Sequence, residues 1–178
     1  MPQHPKQLNY GSVGIGSSQH LAGAYFEQLT GTELVHIPYK NIGSYAPDFI
    51  SGQVPVGFQL LPNVLGLISD GDARALAVAS TKRMTALPDI PTAAEAGLPG
   101  YESAAWLALL APADTDKAIV DRLYAAAQQA TRDPKLRALF AEQGAETADL
   151  GPEALKKFIA SEIAKWSEVI GKMGIAPM

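Results

Sequence analysis

The other elements of this chain are arranged around one segment near its start, which reads Leu8-Asn9-Tyr10-Gly11-Ser12-Val13-Gly14-Ile15-Gly16-Ser17-Ser18-Gln19-His20-Leu21. Residues 8–10 predict a short buried strand, and residues 11–18 combine three glycines with three serines before a helix. The first N–H groups of a helix lack intrahelical partners and lie at the positive end of its dipole, so they bind carboxylates and phosphates. We therefore predict an anion site in residues 11–18, called the anion loop below.

The composition is that of a globular protein, because 47% of the 178 residues are hydrophobic. The net charge is −4 without a basic run, which excludes the electrostatic footprint of a nucleic-acid-binding protein. No segment has the ~18 consecutive apolar residues of a membrane span. The sequence has no cysteine for disulfides or thiol chemistry. Residues 1–6 lack the apolar core of a signal peptide, which predicts a cytoplasmic protein or one whose leader was removed.

Strands and helices alternate in the first half of the chain. The predicted strands are residues 8–10, 33–37, 54–58 and 74–79. Ser17 or Ser18 is the predicted N-cap of the first helix, and Ser44 is that of the second. Because parallel strands need crossover connections, the alternation predicts an α/β fold of three layers, with helices on both faces of a mostly parallel sheet.

The second half is mainly helical and follows a connector rich in proline and glycine. The connector, residues 87–101, contains the capping-box pattern of Thr92 and Glu95. A further buried strand is predicted at residues 106–111. Helices are predicted at residues 116–131, from Pro134 onward, and from Pro152 to residue 170. The apolar faces of these helices need a sheet to cover, so the connector is the predicted boundary between two lobes.

The glycines of the anion loop also suggest a dinucleotide site, but the match is weak. Gln19 stands where the third glycine of that motif belongs, and residues 37–40 provide no acid for a ribose hydroxyl. A nucleotide- or phosphate-dependent enzyme on a doubly wound sheet remains an alternative function. A domain that binds nothing and serves assembly is a third.

We predict neither a catalytic site nor a metal site. Ser17, Ser18 and His20 are not spaced to aim a base at a nucleophile, and the chain has no Gly-x-Ser-x-Gly elbow. The three histidines are scattered, without cysteines or carboxylates at ligand spacing. His20 either contacts a bound anion or bridges the first helical turn to a neighbouring loop. His36, in an apolar strand, is interpreted as structural.

The predicted ligand-binding residues share one edge of the sheet, because ligands of open α/β sheets gather at the carboxyl ends of the strands. Tyr39 follows the second predicted strand, and Gln59 follows the third. The full set is Ser12, Gly14, Gly16, Ser17, Ser18, His20, Tyr39 and Gln59. No cofactor is predicted.

Short phrases over nearly the whole chain follow one another in the order of a known family. They are Leu8-Asn9-Tyr10-Gly11-Ser12, Gly14-x-Gly16-Ser17-Ser18-x-His20-Leu21-Ala22-Gly23, Val35-His36-Ile37-Pro38-Tyr39-Lys40, Ser51-Gly52-Gln53-Val54, Leu87-Pro88-Asp89-Ile90-Pro91-Thr92 and Leu110-Ala111-Pro112. With them the chain resembles the periplasmic solute receptors of the tripartite tricarboxylate transporter type, also called Bug proteins. Each phrase alone is common, but the ordered set is specific.

The resemblance implies a periplasmic-binding-protein-like fold of type II, whose two lobes close on a small carboxylate without catalysis and pass it to membrane transport subunits. Residues 1–103 would form the ligand-binding second lobe, and residues 104–178 the C-terminal portion of the first. Gln59 stands near where family members often carry Asp, which favours simple carboxylates over amino acids. The resemblance also implies a periplasmic location, although this chain shows no signal peptide.

The resemblance further implies that the opening half of the first lobe is missing from this sequence. We therefore expect weak ligand binding by this chain alone. The predicted strand at residues 106–111 and the later helices would expose apolar surface and a sheet edge, so we also expect a homodimer or strand exchange between copies.

Overall fold

A computed structural model describes residues 6–173 of the chain. Within these residues, three short strands and six helices form the regular structure. The strands are β1 (Asn9–Ser12), β2 (Val35–Pro38) and β3 (Val56–Gly57). The helices are α1 (Ser18–Thr30), α2 (Ile42–Ile50), α3 (Leu61–Ser69), α4 (Lys117–Arg132), α5 (Pro134–Glu142) and α6 (Pro152–Met173).

The strands form one parallel sheet in the order β2-β1-β3. In its register, Tyr10 of the central strand lies opposite His36 on one side and Val56 on the other. Each connection between neighbouring strands passes through a helix, as parallel pairing requires. The prediction of a parallel α/β sheet is therefore confirmed, with shifted strand ends.

Helices α1 and α2 cover opposite faces of β1. A Cβ added to Gly23 of α1 would lie 2.3 Å from the Tyr10 ring, whereas one added to Gly11 would lie 2.3 Å from the Tyr45 ring of α2. Tyr10 and Gly11 are consecutive in the strand, so they face opposite sides of the sheet. The predicted three-layer arrangement is thus present around β1, and Gly23 lets α1 approach the strand closely.

An aromatic cluster holds α1 against the sheet. Tyr10 is only 1% exposed and packs edge-on against Phe58, whose ring centroid lies 5.4 Å away. Tyr101, from the connector, donates its hydroxyl to the Ala22 carbonyl at 3.0 Å. Burial of large aromatic side chains is a main source of folding free energy. These contacts hold the N-terminal half of α1 against β1.

In the described part of the chain, side-chain caps set the starts of four helices: Ser17, Asn41, Asp116 and Asp133 are the N-caps of α1, α2, α4 and α5. Thr92 and Glu95 form the expected reciprocal capping box. The predicted cap of the second helix is wrong. Asn41 is the N-cap of α2, since its side-chain oxygen accepts the N–H of Ser44 at 3.0 Å.

Two predicted strands are absent from the described structure. Residues 74–79 form only an isolated bridge between Val78 and Thr92, and Leu76 among them is 74% exposed. Residues 106–111, predicted as a buried strand, have no regular structure, and Leu107 is fully exposed. A strand needs a hydrogen-bonding neighbour, and no further strand in residues 6–173 pairs with either segment.

Helix α6 returns from the second half of the chain to pack on α1. The Gln28 side chain of α1 donates to the Val169 carbonyl at 2.9 Å, and Val169 is buried. Trp166 meets the Tyr25 ring at a centroid distance of 6.0 Å. The C-terminal helix thus covers the side of α1 that faces away from the sheet.

Candidate functional site

The structure brings the predicted site residues to one edge of the sheet. The Ser12 carbonyl at the end of β1 accepts the N–H of Tyr39 at 2.8 Å. The Gln59 side chain, just after β3, donates to the Gly11 carbonyl at 3.3 Å. The carboxyl ends of all three strands therefore meet the anion loop, as the open-sheet rule predicts.

Two left-handed glycines shape the anion loop. Gly14 has a φ of 127° and Gly16 a φ of 79°, a region that other residues rarely adopt. The loop closes on itself where the N–H of Ser17 donates to the Gly14 carbonyl at 3.2 Å. Both glycines are therefore required by the backbone, whatever the loop binds.

Helix α1 begins at the end of this loop with two N–H groups free of intrahelical bonds. Ser17 is the N-cap, and its hydroxyl accepts the N–H of His20 at 3.3 Å while its carbonyl accepts that of Leu21. The N–H groups of Ser18 and Gln19, in the first two helical positions, have no partner within the helix. Ser18 is exposed, and its hydroxyl donates to Gln19 Oε1 at 3.4 Å. The two N–H groups and the helix dipole form an anion-binding arrangement.

The hydroxyl of Ser12 supports the loop from inside. Ser12 is 1% exposed, and its oxygen lies 3.1 Å from the Gly14 nitrogen, 3.0 Å from the Gly14 carbonyl and 2.6 Å from His36 Nε2. The hydroxyl has one proton, so all three contacts are satisfied when it donates to the carbonyl and accepts from Gly14 and His36. Its direct contact with a ligand stays a prediction.

His20 bridges the first turn of α1 to the loop, the second of its two proposed roles. Its Nδ1 accepts the N–H of Gly16 at 3.0 Å, and its ring stacks on His36 with centroids 3.9 Å apart. Burial lowers the pKa of His20, and burial together with the neighbouring His20 lowers the pKa of His36 to about 4. Both rings are therefore neutral at pH 7.

Tyr39 and Gln59 lie at the same edge but are held by protein partners. The Tyr39 hydroxyl donates to Asp48 Oδ2 at 2.6 Å, and burial with this carboxylate raises the pKa of Tyr39 to about 12. Gln59 Oε1 and the Tyr45 hydroxyl are buried without a hydrogen-bond partner among the described residues. Because both oxygens are buried, neither is open to a ligand from the solvent.

Two further residues lie at this site. His36 is placed as a structural residue, as the sequence indicates, with its Nε2 2.6 Å from the buried Ser12 hydroxyl. Its parallel pairing with Tyr10 was the available signal, because residues paired across neighbouring strands face the same side of a sheet. Tyr45 gave no signal, since its position over Gly11 depends on how α2 packs.

Residues 6–173 contain no group of three or more His, Cys, Asp or Glu side chains placed to hold a metal ion. In the same part of the chain, no helix is both long and apolar enough to cross a membrane.

The sequence matches a family described as the tripartite tricarboxylate transporter family receptor over residues 1–175. Protein BugT of Bordetella pertussis is 34% identical over 170 residues, which are 96% of this chain but 52% of BugT. The UPF0065 protein in the clcB-clcD intergenic region of Pseudomonas knackmussii is 32% identical over 89% of this chain and 94% of that protein. The chain thus spans about half the length of BugT but nearly all of the second relative.

Solved structures share the fold. An R. palustris protein determined with adipate is 35% identical with a TM-score of 0.81, over 99% of this chain and 59% of that one. The periplasmic binding protein BugD is 31% identical with a TM-score of 0.76, over 99% and 60%. MatC from Rhodopseudomonas palustris, with bound malate, is 28% identical with a TM-score of 0.72, over 93% and 57%. The periplasmic-binding-protein-like fold class is therefore confirmed.

Proposed function

Since the chain belongs to the tripartite tricarboxylate transporter receptor family, we propose that it binds a small carboxylate at the anion loop and catalyses no reaction. The N–H groups of Ser18 and Gln19 at the start of α1 carry this proposal, because they lack intrahelical partners. They supply hydrogen bonds and a favourable dipole to a carboxylate. The hydroxyls of Ser17 and Ser18 adjoin them.

The ligands of the structural neighbours support a carboxylate over a phosphate. One neighbour was solved with adipate and another with malate, both dicarboxylates. The loop also lacks the third glycine and the acidic partner of a dinucleotide site, since Gln19 occupies the glycine position. A small dicarboxylate is therefore the proposed ligand class for this chain.

We extend the proposal to the whole protein by the same relationship. The receptor would work in the periplasm and deliver its ligand to membrane transport subunits. Residues 1–103 would act as one lobe and residues 104–178 as part of the other. The chain covers 52% of BugT and 59–60% of two solved relatives, so we expect this chain alone to bind a ligand more weakly than a full-length relative would.

Replacing Ser18 with proline tests the site without disturbing the fold. Ser18 is the first residue of α1, where proline is well tolerated, and Ser17 has φ −65° and ψ 159°, which suit a residue before proline. The chain itself starts α5 with Pro134. Ser18→Pro removes one free N–H and the hydroxyl, whereas the matched control Ser18→Ala removes the hydroxyl alone.

We expect adipate to raise the melting temperature of the wild-type chain, since a ligand at a hundred times its Kd stabilises by about 2.7 kcal/mol. Ser18→Pro should lose most of this stabilisation, and Ser18→Ala only part of it. The same melting-temperature measurement is made with malate, citrate, phosphate, NAD, NADP and ATP. Stabilisation by the nucleotides but not by the carboxylates would support the enzyme alternative and overturn the proposal, as would an unchanged adipate response in Ser18→Pro.

A further inference from the structure

Two stacked imidazole rings connect the anion loop to its supporting elements. His20 of α1 and His36 of β2 have nearly parallel ring planes, 16° apart, with centroids separated by 3.9 Å. Each ring also contacts one residue of the anion loop. His20 Nδ1 accepts the N–H of Gly16 at 3.0 Å, and His36 Nε2 lies 2.6 Å from Ser12 Oγ. The pair therefore ties both ends of the loop to the body of the fold.

The bond from Gly16 to His20 exists only while the His20 ring is neutral. An imidazole nitrogen that accepts an N–H must carry a lone pair, so the single ring proton of His20 lies on Nε2. Protonation of Nδ1 replaces this acceptor with a donor that faces the Gly16 N–H. The two donors then repel each other, and the loop loses its contact with α1.

The immediate surroundings of the pair do not favour a positive charge. The rings face each other, the Ser12 hydroxyl and the Tyr10 ring of β1, whose centroid lies 5.0 Å from that of His36. His20 is a buried residue and His36 a half-buried one. Protonation of either ring would place a charge in this stack beside a second imidazole, which lowers its affinity for the proton.

The acids on the surrounding elements are held by other partners. Glu27 of α1 accepts the N–H of Leu34 at 2.6 Å, and Asp48 of α2 accepts the Tyr39 hydroxyl at 2.6 Å. Strands β1 and β3 contain no charged residue. Neither carboxylate is therefore placed to compensate a proton on the imidazole pair.

We propose that the His20–His36 pair is a proton-sensitive lock, which holds the anion loop in its ligand-binding form near neutral pH and releases it when a proton binds to the pair at His20 Nδ1. The ligand in this inference rests on the proposed function, whereas the lock itself concerns only the loop and the two rings. Because Ser17 and Ser18 are the last two residues of the loop, its release displaces the donors at the start of α1. Carboxylate affinity then falls in acid.

Histidine and amide NMR of the ligand-free chain tests the lock without any ligand. At pH 7 we expect His20 in the Nε2–H tautomer and a Gly16 amide resonance typical of a hydrogen-bonded N–H. As the pH falls towards 4.5, the Gly16 amide should shift together with protonation of the pair. A His20 ring in the Nδ1–H tautomer at pH 7, or a Gly16 amide that ignores protonation, would overturn the lock.

Two conservative variants provide matched controls. His20→Asn keeps an acceptor oxygen near the position of Nδ1 but cannot take a proton, and His36→Gln keeps a donor near the position of Nε2. In His20→Asn the chemical shift of the Gly16 amide should not depend on pH in this range. In His36→Gln the pH dependence of that shift should differ from that of wild type, and this variant provides the test if His20→Asn fails to fold. A wild-type pH response of Gly16 in both variants would contradict the lock.

Calorimetric titration with adipate connects the lock to binding. If one histidine regains its ordinary pKa of 6.5 when the loop is released, its protonation shifts the equilibrium between the held and the released loop towards release by up to about thirtyfold at pH 5. Protonation of adipate itself lowers the affinity of both proteins equally. Wild type should therefore lose more adipate affinity between pH 7 and pH 5 than His20→Asn does. Equal losses would contradict the lock. Failure of adipate to bind at pH 7 would contradict the proposed function, and the NMR result would then decide the lock alone.

Discussion

Replacing Gly23 with alanine should weaken the packing of α1 on β1, which positions the anion loop. The added Cβ would lie 2.3 Å from Tyr10 Cε2 and 2.6 Å from Tyr10 Cζ, far inside van der Waals contact. Tyr10 is 1% exposed and packs against Phe58, so its ring has no free space into which to move. Either the ring or the helix must shift.

The magnitude follows from two opposing contributions. Alanine favours a helix over glycine by about 1 kcal/mol, whereas overpacking of a core costs about 1–3 kcal/mol. Because the Tyr10 ring is confined, we expect the upper end of this cost and a net loss of about 2 kcal/mol for Gly23→Ala. The matched control is Gly66→Ala in α3, where the added Cβ meets no atom within 4 Å. It should gain up to about 1 kcal/mol.

Urea unfolding followed by circular dichroism measures both variants in the same buffer. The free energies of unfolding of Gly23→Ala and Gly66→Ala should differ by about 3 kcal/mol, or roughly 6–12 °C in melting temperature. If Gly23→Ala is as stable as Gly66→Ala, then α1 does not rest on Tyr10 as described. The placement of the anion loop would fall with that packing.

Three other predictions concern separate parts of the chain. The pKa of His36 is lower in the folded state than in the unfolded state, so the unfolded state binds a proton more readily as the pH falls. The free energy of unfolding should therefore fall by about 1–2 kcal/mol between pH 6.5 and pH 4, after allowance for the partly exposed ring. Urea unfolding across this range should show a smaller loss for His36→Gln. Thr92→Ala removes the hydroxyl that accepts the N–H of Glu95 and should cost about 1 kcal/mol in the same assay, with no loss contradicting the capping box. Glu162→Ala removes the carboxylate oxygen that accepts the indole N–H groups of Trp166 at 3.1 Å and Trp106 at 3.3 Å, so the tryptophan emission maximum should move, and an unchanged spectrum would contradict these contacts.

The parallel core was predictable because its signals are local and its partners are close in sequence. Valine and isoleucine at alternating positions mark β2, Val54, Val56 and Phe58 mark β3, and glycine, serine and proline mark the turns between the strands. Ser17 is one of the two serines predicted as the N-cap of the first helix, and Gly31, which ends α1 with a φ of 64°, is the residue type typical of a left-handed helix end. The connections between the strands are long enough to hold a helix, which parallel pairing requires.

The predictions at residues 74–79 and 106–111 failed for a different physical reason. Their apolar runs satisfy the local pattern of a strand, but a local pattern does not supply a pairing neighbour. Leu107 and Leu109 are largely exposed in the described structure. Sequence periodicity alone therefore overestimates the sheet wherever the pairing partner is not identified.

The sequence predicts which residues lie beside the anion loop, but it does not predict their contacts with one another. The rule for the carboxyl ends of parallel strands brought Tyr39 and Gln59 correctly beside the anion loop. The stack of His20 on His36 depends on how α1 crosses β2, which no spacing in the sequence reveals. Interactions between elements were therefore the part that required the structure.

The central claim is that a carboxylate binds at the start of α1. Backbone amide NMR of the chain during titration with adipate tests this most directly. We predict the largest chemical-shift changes at the amides of Ser18 and Gln19, with loss of the response at Gln19 in Ser18→Pro. The largest changes around the cleft lined by Lys82 and Arg137, or no change at Ser18 and Gln19 at saturation, would contradict the claim.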